Sequence, residues 1–300
     1  MKPKLGTILI CAGLFVFFVI LSFPYKNLRG AIFGQIYSAT KVVITADDLY
    51  PSFLGWPGIV LTNATISLPA HMGDMEFSAK KITLRAGIGS LFPPAPSVSV
   101  SLSKLKGGGD LYVRIVPSRS AMTLRISTDA FDLKQLKVAL FPEPIAGKIS
   151  SDVDMSVDPA DLSKTTGYAM IDGKEIKIPG QNLQGIILPS VPMGVLKAAI
   201  NVRNGSAEIA TFTFGEKGGD FQGSLAGDFR MSQVFTSSYL TLLLKVQLSE
   251  KYRTDPSSAT LVAFLESFKS AAPGDYAMKW AASLQDMSTN VMSAIPQKAN

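Results

Sequence analysis

From about residue 42 onward the chain repeats one pattern, with apolar side chains at every second position in runs of strand length. Ser97 to Ser103 alternates serine with Val98, Val100 and Leu102, and Leu111, Val113 and Ile115 alternate with Tyr112 and Arg114. The same period returns at Met122, Leu124 and Ile126, at Val153, Met155 and Val157, and at Ala198, Ile200 and Val202. It continues at Phe221, Leu225 and Phe229, with Gly223 and Gly227 filling the intervening inward positions. Leu240, Leu242, Leu244, Val246 and Leu248 form a longer run, and Tyr276, Met278, Trp280, Ala282 and Leu284 form the last. A period of two places these residues on one face of a pleated strand, with polar neighbours on the other. Such runs, separated by turns, predict a mainly-β antiparallel protein: an elongated, curved sheet or sandwich.

The turns carry the expected chemistry. Asn204-Gly205, Asp172-Gly173, Lys217-Gly218-Gly219-Asp220 and Gly107-Gly108-Gly109-Asp110 each separate alternating runs. Glycine and asparagine tolerate the positive φ that tight hairpins need, so each is expected to be a hairpin turn. Two or three short helices interrupt the pattern. Asp132 is placed to cap Leu133 to Phe141, and Asp255 to cap a helix with Pro256 at its first position and Leu261, Phe264, Leu265 and Phe268 on its apolar face.

The N-terminus is of another kind. Leu5 to Tyr25 is uncharged and carries Ile8, Leu9, Ile10, Leu14, Phe15, Val16, Phe17, Phe18, Val19, Ile20 and Leu21. As a helix it would span roughly 30 Å, the thickness of a bilayer core. Lys2 and Lys4 precede it, Lys26 and Arg29 follow it, and Leu21-Ser22-Phe23-Pro24-Tyr25 is a poor cleavage site, so an uncleaved signal anchor is expected. Leu28, Ala31, Ile32, Gln35 and Ile36 then keep a helical stripe. The expected organisation is a cytoplasmic stub and membrane anchor over 1–25, an amphipathic neck helix over 26–40, a β-rich domain over 41–286 and a tail over 287–300. A long domain behind a short basic stub is expected to be carried across the membrane.

The net charge of +6 does not point to nucleic acid. The first 46 residues hold five bases and no acid, which leaves 24 bases to 23 acids for the rest of the chain. Catalytic chemistry is poorly supplied. The chain has one histidine, His71, and one cysteine, Cys11, so a zinc shell, a nucleophile with a histidine base or a redox pair lacks its usual residues. Asp152 and Asp154 sit two apart on the polar face of a strand run, and with Asp47 and Asp48 they read as solvated charges. Gly107-Gly108-Gly109 lacks the Lys-Ser/Thr of a phosphate loop. No enzyme activity, metal or cofactor is expected.

In segment order the chain resembles the bacterial type II secretion system protein N family in its longer form. The segments are Phe23-Pro24-Tyr25 with Leu28, Leu49-Tyr50-Pro51-Ser52, Gly58-Ile59-Val60-Leu61 and Leu68-Pro69. Then come Phe131-Asp132-Leu133, Ile145 to Ser150, Val157 to Lys164 with Gly167, Leu188 to Gly194, Asn204-Gly205 and Gly219 to Gly227. Family members tend to close with Gly-Thr-Leu and a proline, whereas this chain runs Trp280-Ala281-Ala282-Ser283-Leu284-Gln285-Asp286. The resemblance implies a single-pass protein of the inner membrane of a Gram-negative cell, with a cytoplasmic N-terminus and a periplasmic β-domain. It also implies a non-enzymatic accessory role in type II protein secretion, with other secretion components as partners. The family is similar in architecture to AsmA-like proteins, whose sheets cradle lipid chains.

That similarity and the alternating runs define a second expectation, a phospholipid held on an apolar sheet face made by Leu225, Phe229, Leu240, Leu242, Leu244, Val246, Met278 and Trp280.

Overall fold

The computed structural model describes residues 25–52, 57–67, 76–91, 94–118, 121–135, 143–158, 160–183, 186–188, 190–233, 237–270, 272–283 and 297–299. Helix α1 (Tyr25–Thr40) leads into a run of antiparallel strands. These are β1 (Val43–Thr45), β2 (Asp48–Ser52), β3 (Gly58–Ser67), β4 (Glu76–Leu91), β5 (Pro94–Leu105), β6 (Asp110–Pro117), β7 (Met122–Asp132), β8 (Ala146–Val157) and β9 (Thr166–Ile178). The second half holds β10 (Gln181–Leu183), β11 (Ile186–Leu188), β12 (Val191–Arg203), β13 (Ser206–Phe214), β14 (Phe221–Arg230), β15 (Tyr239–Leu248), β16 (Asp275–Ser283) and β17 (Gln297–Lys298). Helices α2 (Glu250–Thr254) and α3 (Ala259–Glu266) stand between β15 and β16.

Among the described residues all strands but two join one 15-stranded sheet, and β10 and β11 form a separate hairpin between β9 and β12. From β3 to β17 spatial order follows chain order, skipping only that hairpin, and β1 and β2 share one edge of β3. The protein is therefore an open antiparallel meander rather than a stack of two large sheets. At about 4.8 Å per strand it extends roughly 60 Å along the hydrogen-bonding direction, well past the about 10 strands at which open sheets usually curl or split.

The alternation translates into two rows of opposite character. One cross-strand row runs Pro51, Ile59, Leu84, Val100, Val113, Ile126, Val153, Ala169, Ile200, Ile209, Gly227, Leu242, Trp280, and every member is apolar or glycine. One residue further along β4, the neighbouring row faces the other way and runs Arg85, Ser99, Arg114, Arg125, Asp154, Tyr168, Asn201, Glu208, Asp228, Thr241. A slip of one residue in any pair would exchange the two faces. From β4 to β15 the sheet has one oily side and one polar side.

Cover on the oily side is concentrated at the two ends. At the N-terminal end Leu49, Leu61, Ile82, Leu102, Leu105 and Phe131 form a buried core, joined by Phe33 of α1. Arg29 holds α1 in place by donating to the carbonyls of Ala46 at 2.7 Å and Asp47 at 3.0 Å. At the C-terminal end Phe214, Val246, Leu248, Tyr276 and Met278 pack with Leu265 and Phe268 of the helical insertion. Ser249 caps α2 by accepting from the Tyr252 amide, and Asp255 accepts from the Ser257 amide at 2.8 Å to start the short 3-10 turn ahead of α3.

Several sequence expectations are corrected. Asp172-Gly173 is no turn but lies inside the unbroken strand β9. Its glycine is needed for packing, since a Cβ there would stand 2.9 Å from Ile176 and 3.0 Å from Leu196. The break in regularity comes two residues later at Glu175, with φ of 55°. The helix expected from Asp255 is preceded by α2, which periodicity did not reveal, and the segment after Asp132 forms a 3-10 turn, Leu133–Gln135, with residues 136–142 outside the described ones. Within the stretch expected as a tail, β17 pairs with Met278 and Lys279. The turns at Asn204-Gly205, with φ of 48° and 70°, and at Gly108 and Gly109, with φ of 95° and 83°, are hairpin turns as their chemistry requires.

Candidate functional site

Registers across β14, β15 and β16 bring the eight expected face residues together. Phe229 lies opposite Leu240, Leu225 opposite Leu244, Leu244 opposite Met278, and Leu242 opposite Trp280. Six of them, Leu225, Leu240, Leu242, Leu244, Val246 and Trp280, line one groove of about 440 Å³. This lies in the range of about 300–1,000 Å³ usual for small-molecule sites. Met278 instead packs into the C-terminal core, and Phe229 lies on the same face outside the lining.

Apart from Phe221, which the alternating run with Leu225 and Phe229 already placed on this face, the opposite wall was not legible from alternation. It is built by Ile178 at the end of β9, Val191 and Met193 at the start of β12, Phe212 and Phe214 at the end of β13, and Phe221 at the start of β14. β12 irregularities between Pro192 and Leu196 turn its first residues toward this wall. The amide of Gly215, with φ of 82°, donates to the carbonyls of Met193 and Val195 at 2.7 and 2.8 Å and ties the β13 end to β12. A sequence signal did exist, because Phe212, Phe214 and Phe221 bracket a Gly-Gly turn. It gave no way to align that hairpin with residue 191.

All twelve lining side chains are apolar. Among the described residues no carboxylate, amine, hydroxyl or imidazole lines the groove, so its surface suits hydrocarbon. The polar groups nearby serve the roof. Tyr252 packs its ring on Phe221 with centroids 5.9 Å apart, and its phenol donates to the Ser190 carbonyl at 3.4 Å, linking α2 to the start of β12. Burial, and then the carboxylates of Asp255 and Asp220, push the Tyr252 phenol above its ordinary value. It therefore stays a neutral donor at physiological pH. Tyr276 is likewise raised by burial and by Glu266, to which its phenol donates at 3.3 Å.

The acidic pairs carry their charges at the surface. Asp154 pairs with Arg125 at 3.7 Å, Asp152 accepts from the Tyr168 phenol at 3.1 Å, and Asp47 accepts from the Asn63 amide at 2.8 Å. Among the described residues no group of three or more His, Cys, Asp or Glu could hold a metal ion. The expected anchor residues Ile8, Leu9, Ile10, Leu14, Phe15, Val16, Phe17, Phe18, Val19, Ile20 and Leu21 lie outside the described residues, as does His71. Among the described residues no helix is long and apolar enough to cross a membrane. Comparison of the chain with protein-family models, curated proteins and solved structures finds no match.

Proposed function

We propose that this protein is a membrane-tethered, non-enzymatic lipid-binding protein that holds acyl chains against the oily side of its sheet. The observation that carries this reading is the unbroken apolar row from Pro51 to Trp280, ending in a groove without a polar lining side chain. Folded monomers rarely leave a contiguous apolar patch beyond a few hundred Å² to water, so a face of this width calls for a hydrophobic occupant. The uncharged stretch Leu5 to Tyr25 would keep the domain beside its lipid source, the inner membrane, with the N-terminus in the cytoplasm and the sheet in the periplasm.

The test is lipid analysis of the full chain purified from membranes, beside a Leu242→Glu variant. Wild type is expected to carry phospholipid in fixed proportion. The variant should lose at least about tenfold of it at an unchanged circular dichroism spectrum, because a buried carboxylate costs several kcal/mol. Lipid-free wild-type protein would sink the proposal.

A second reading, an accessory component of type II secretion, rests on the ordered segments of the resemblance and on one convergence in space. The turn from Asp161 to Lys164 and the Asn204-Gly205 hairpin, 40 residues apart, meet at one end of the sheet. Gly205 donates to the Thr165 carbonyl at 2.9 Å, and a Cβ on Gly205 would lie 2.5 Å from Ser163. Such a joined set of hairpin ends suits contact with another envelope protein. Gene deletion should then leave folded secretion substrates in the periplasm, and normal secretion would count against it.

A further inference from the structure

We infer that the stacked rings of Phe214 and Phe221 are the end-stop of the groove, so that the protein selects acyl chains by length; this rests on the lipid-binding reading above. Cover rises along β15, since Leu240, Leu242 and Leu244 are half-buried whereas Val246 and Leu248 are 5% and 4% exposed. The groove is thus shallow at Leu240 and deep at Val246. Without a polar side chain in the lining, a carboxylate or phosphate headgroup has to remain at the shallow end, and the chain's methyl end points to the deep one.

At the deep end the two rings close the path. Their centroids are 5.4 Å apart with planes at 26°. Gly223 makes room for this wall, because a Cβ there would lie 2.4 Å from the Phe214 ring. Tyr252 backs Phe221 from the far side, and Leu261 and Val262 of α3 pack against the same core. Space for further methylenes would require moving a ring already held by the helical insertion.

The test uses the full chain transferred from detergent to an amphipathic polymer, with saturated fatty acids from lauric to arachidic displacing a fluorescent fatty acid. Affinity should rise about fourfold for each added methylene while the chain still finds apolar cover, then fall. Phe221→Ala should move that optimum to longer chains, Phe221→Trp to shorter ones, and Tyr252→Ala should give a smaller shift in the direction of Phe221→Ala. If Phe221→Ala does not fold, Phe221→Trp decides alone. Binding with no optimum, or an optimum that folded Phe221 variants leave in place, would overturn the end-stop while leaving lipid binding intact. No binding of any chain would overturn both.

Discussion

The two ends of the sheet and its middle are built from the same alternating strands, yet they differ in what covers them. At the N-terminal end Leu61 and Ile82 are 0% exposed, and at the C-terminal end Tyr276 is 1% exposed. In the middle, neither β6 nor β8 contains a single buried residue, and Val98 at the β5–β6 ladder is 51% exposed although its strand faces the oily side. The difference does not come from the strands. It goes with the segments that break alternation, since Phe33 of α1 packs against the core at one end and the α2–α3 insertion against the core at the other. Sidedness is thus a property of strands, and burial a property of what is laid on them.

The contrast is sharpest in side-chain truncation. Ile82→Ala should cost about 2–5 kcal/mol in urea unfolding, the usual range for a buried large-to-small change, whereas Val113→Ala should cost under about 1 kcal/mol. Equal losses would mean that the middle is covered after all. The middle is instead held by its backbone, and Gly167 tests this. Its φ is 149° and a Cβ would lie 2.2 Å from the Asp154 carbonyl, so Gly167→Ala should cost about 1–3 kcal/mol although no side chain is lost.

Smaller effects probe how the covers are attached. Arg29→Ala removes two hydrogen bonds to backbone carbonyls and should lower hydrogen-exchange protection across α1 by about 1 kcal/mol, leaving β14–β16 unchanged. Protection lost equally throughout would break the picture of independent ends. The smallest effect is one of pH. The Asp161 carboxyl is held below its ordinary value by the Ser163 hydroxyl and Lys164, and that of Asp255 by the Ser257 amide and hydroxyl. Because both folded values are depressed, their contribution is present above the unfolded carboxylate value of about 4 and is lost as pH falls through the folded values. Asp255→Asn should flatten the acid side of the C-terminal unfolding curve slightly and leave the region around pH 7 unaltered.

Much of this was legible in the residues. Strand positions from Ser97 to Leu102 or from Leu240 to Leu248 follow from period two alone, because successive side chains of a pleated strand point to opposite faces. Hairpins at Asn204-Gly205 and Gly218-Gly219 follow from the need for positive φ. Asp172-Gly173 misled because a glycine required for close packing of Ile176 and Leu196 looks the same in sequence as one required for a turn. α2 escaped because its 5 residues are too few to display a helical period.

Of the candidate site, the β14–β16 side was readable and the facing wall was not. Whether Leu84 and Trp280 share a face depends on every register between them, including the shifts at Thr128/Phe131, Ala199/Ile200 and Ile209/Thr213. Each shift alters the count by residues that no local pattern marks. Period two in the residues is enough to dictate strands with one apolar side, since alternation is a local consequence of backbone geometry. Long-range packing joins those sides into one row, sets helices against its ends and stacks Phe214 on Phe221. Those outcomes depend on contacts between residues distant in the chain, and the free energy of packing is settled only when those residues meet.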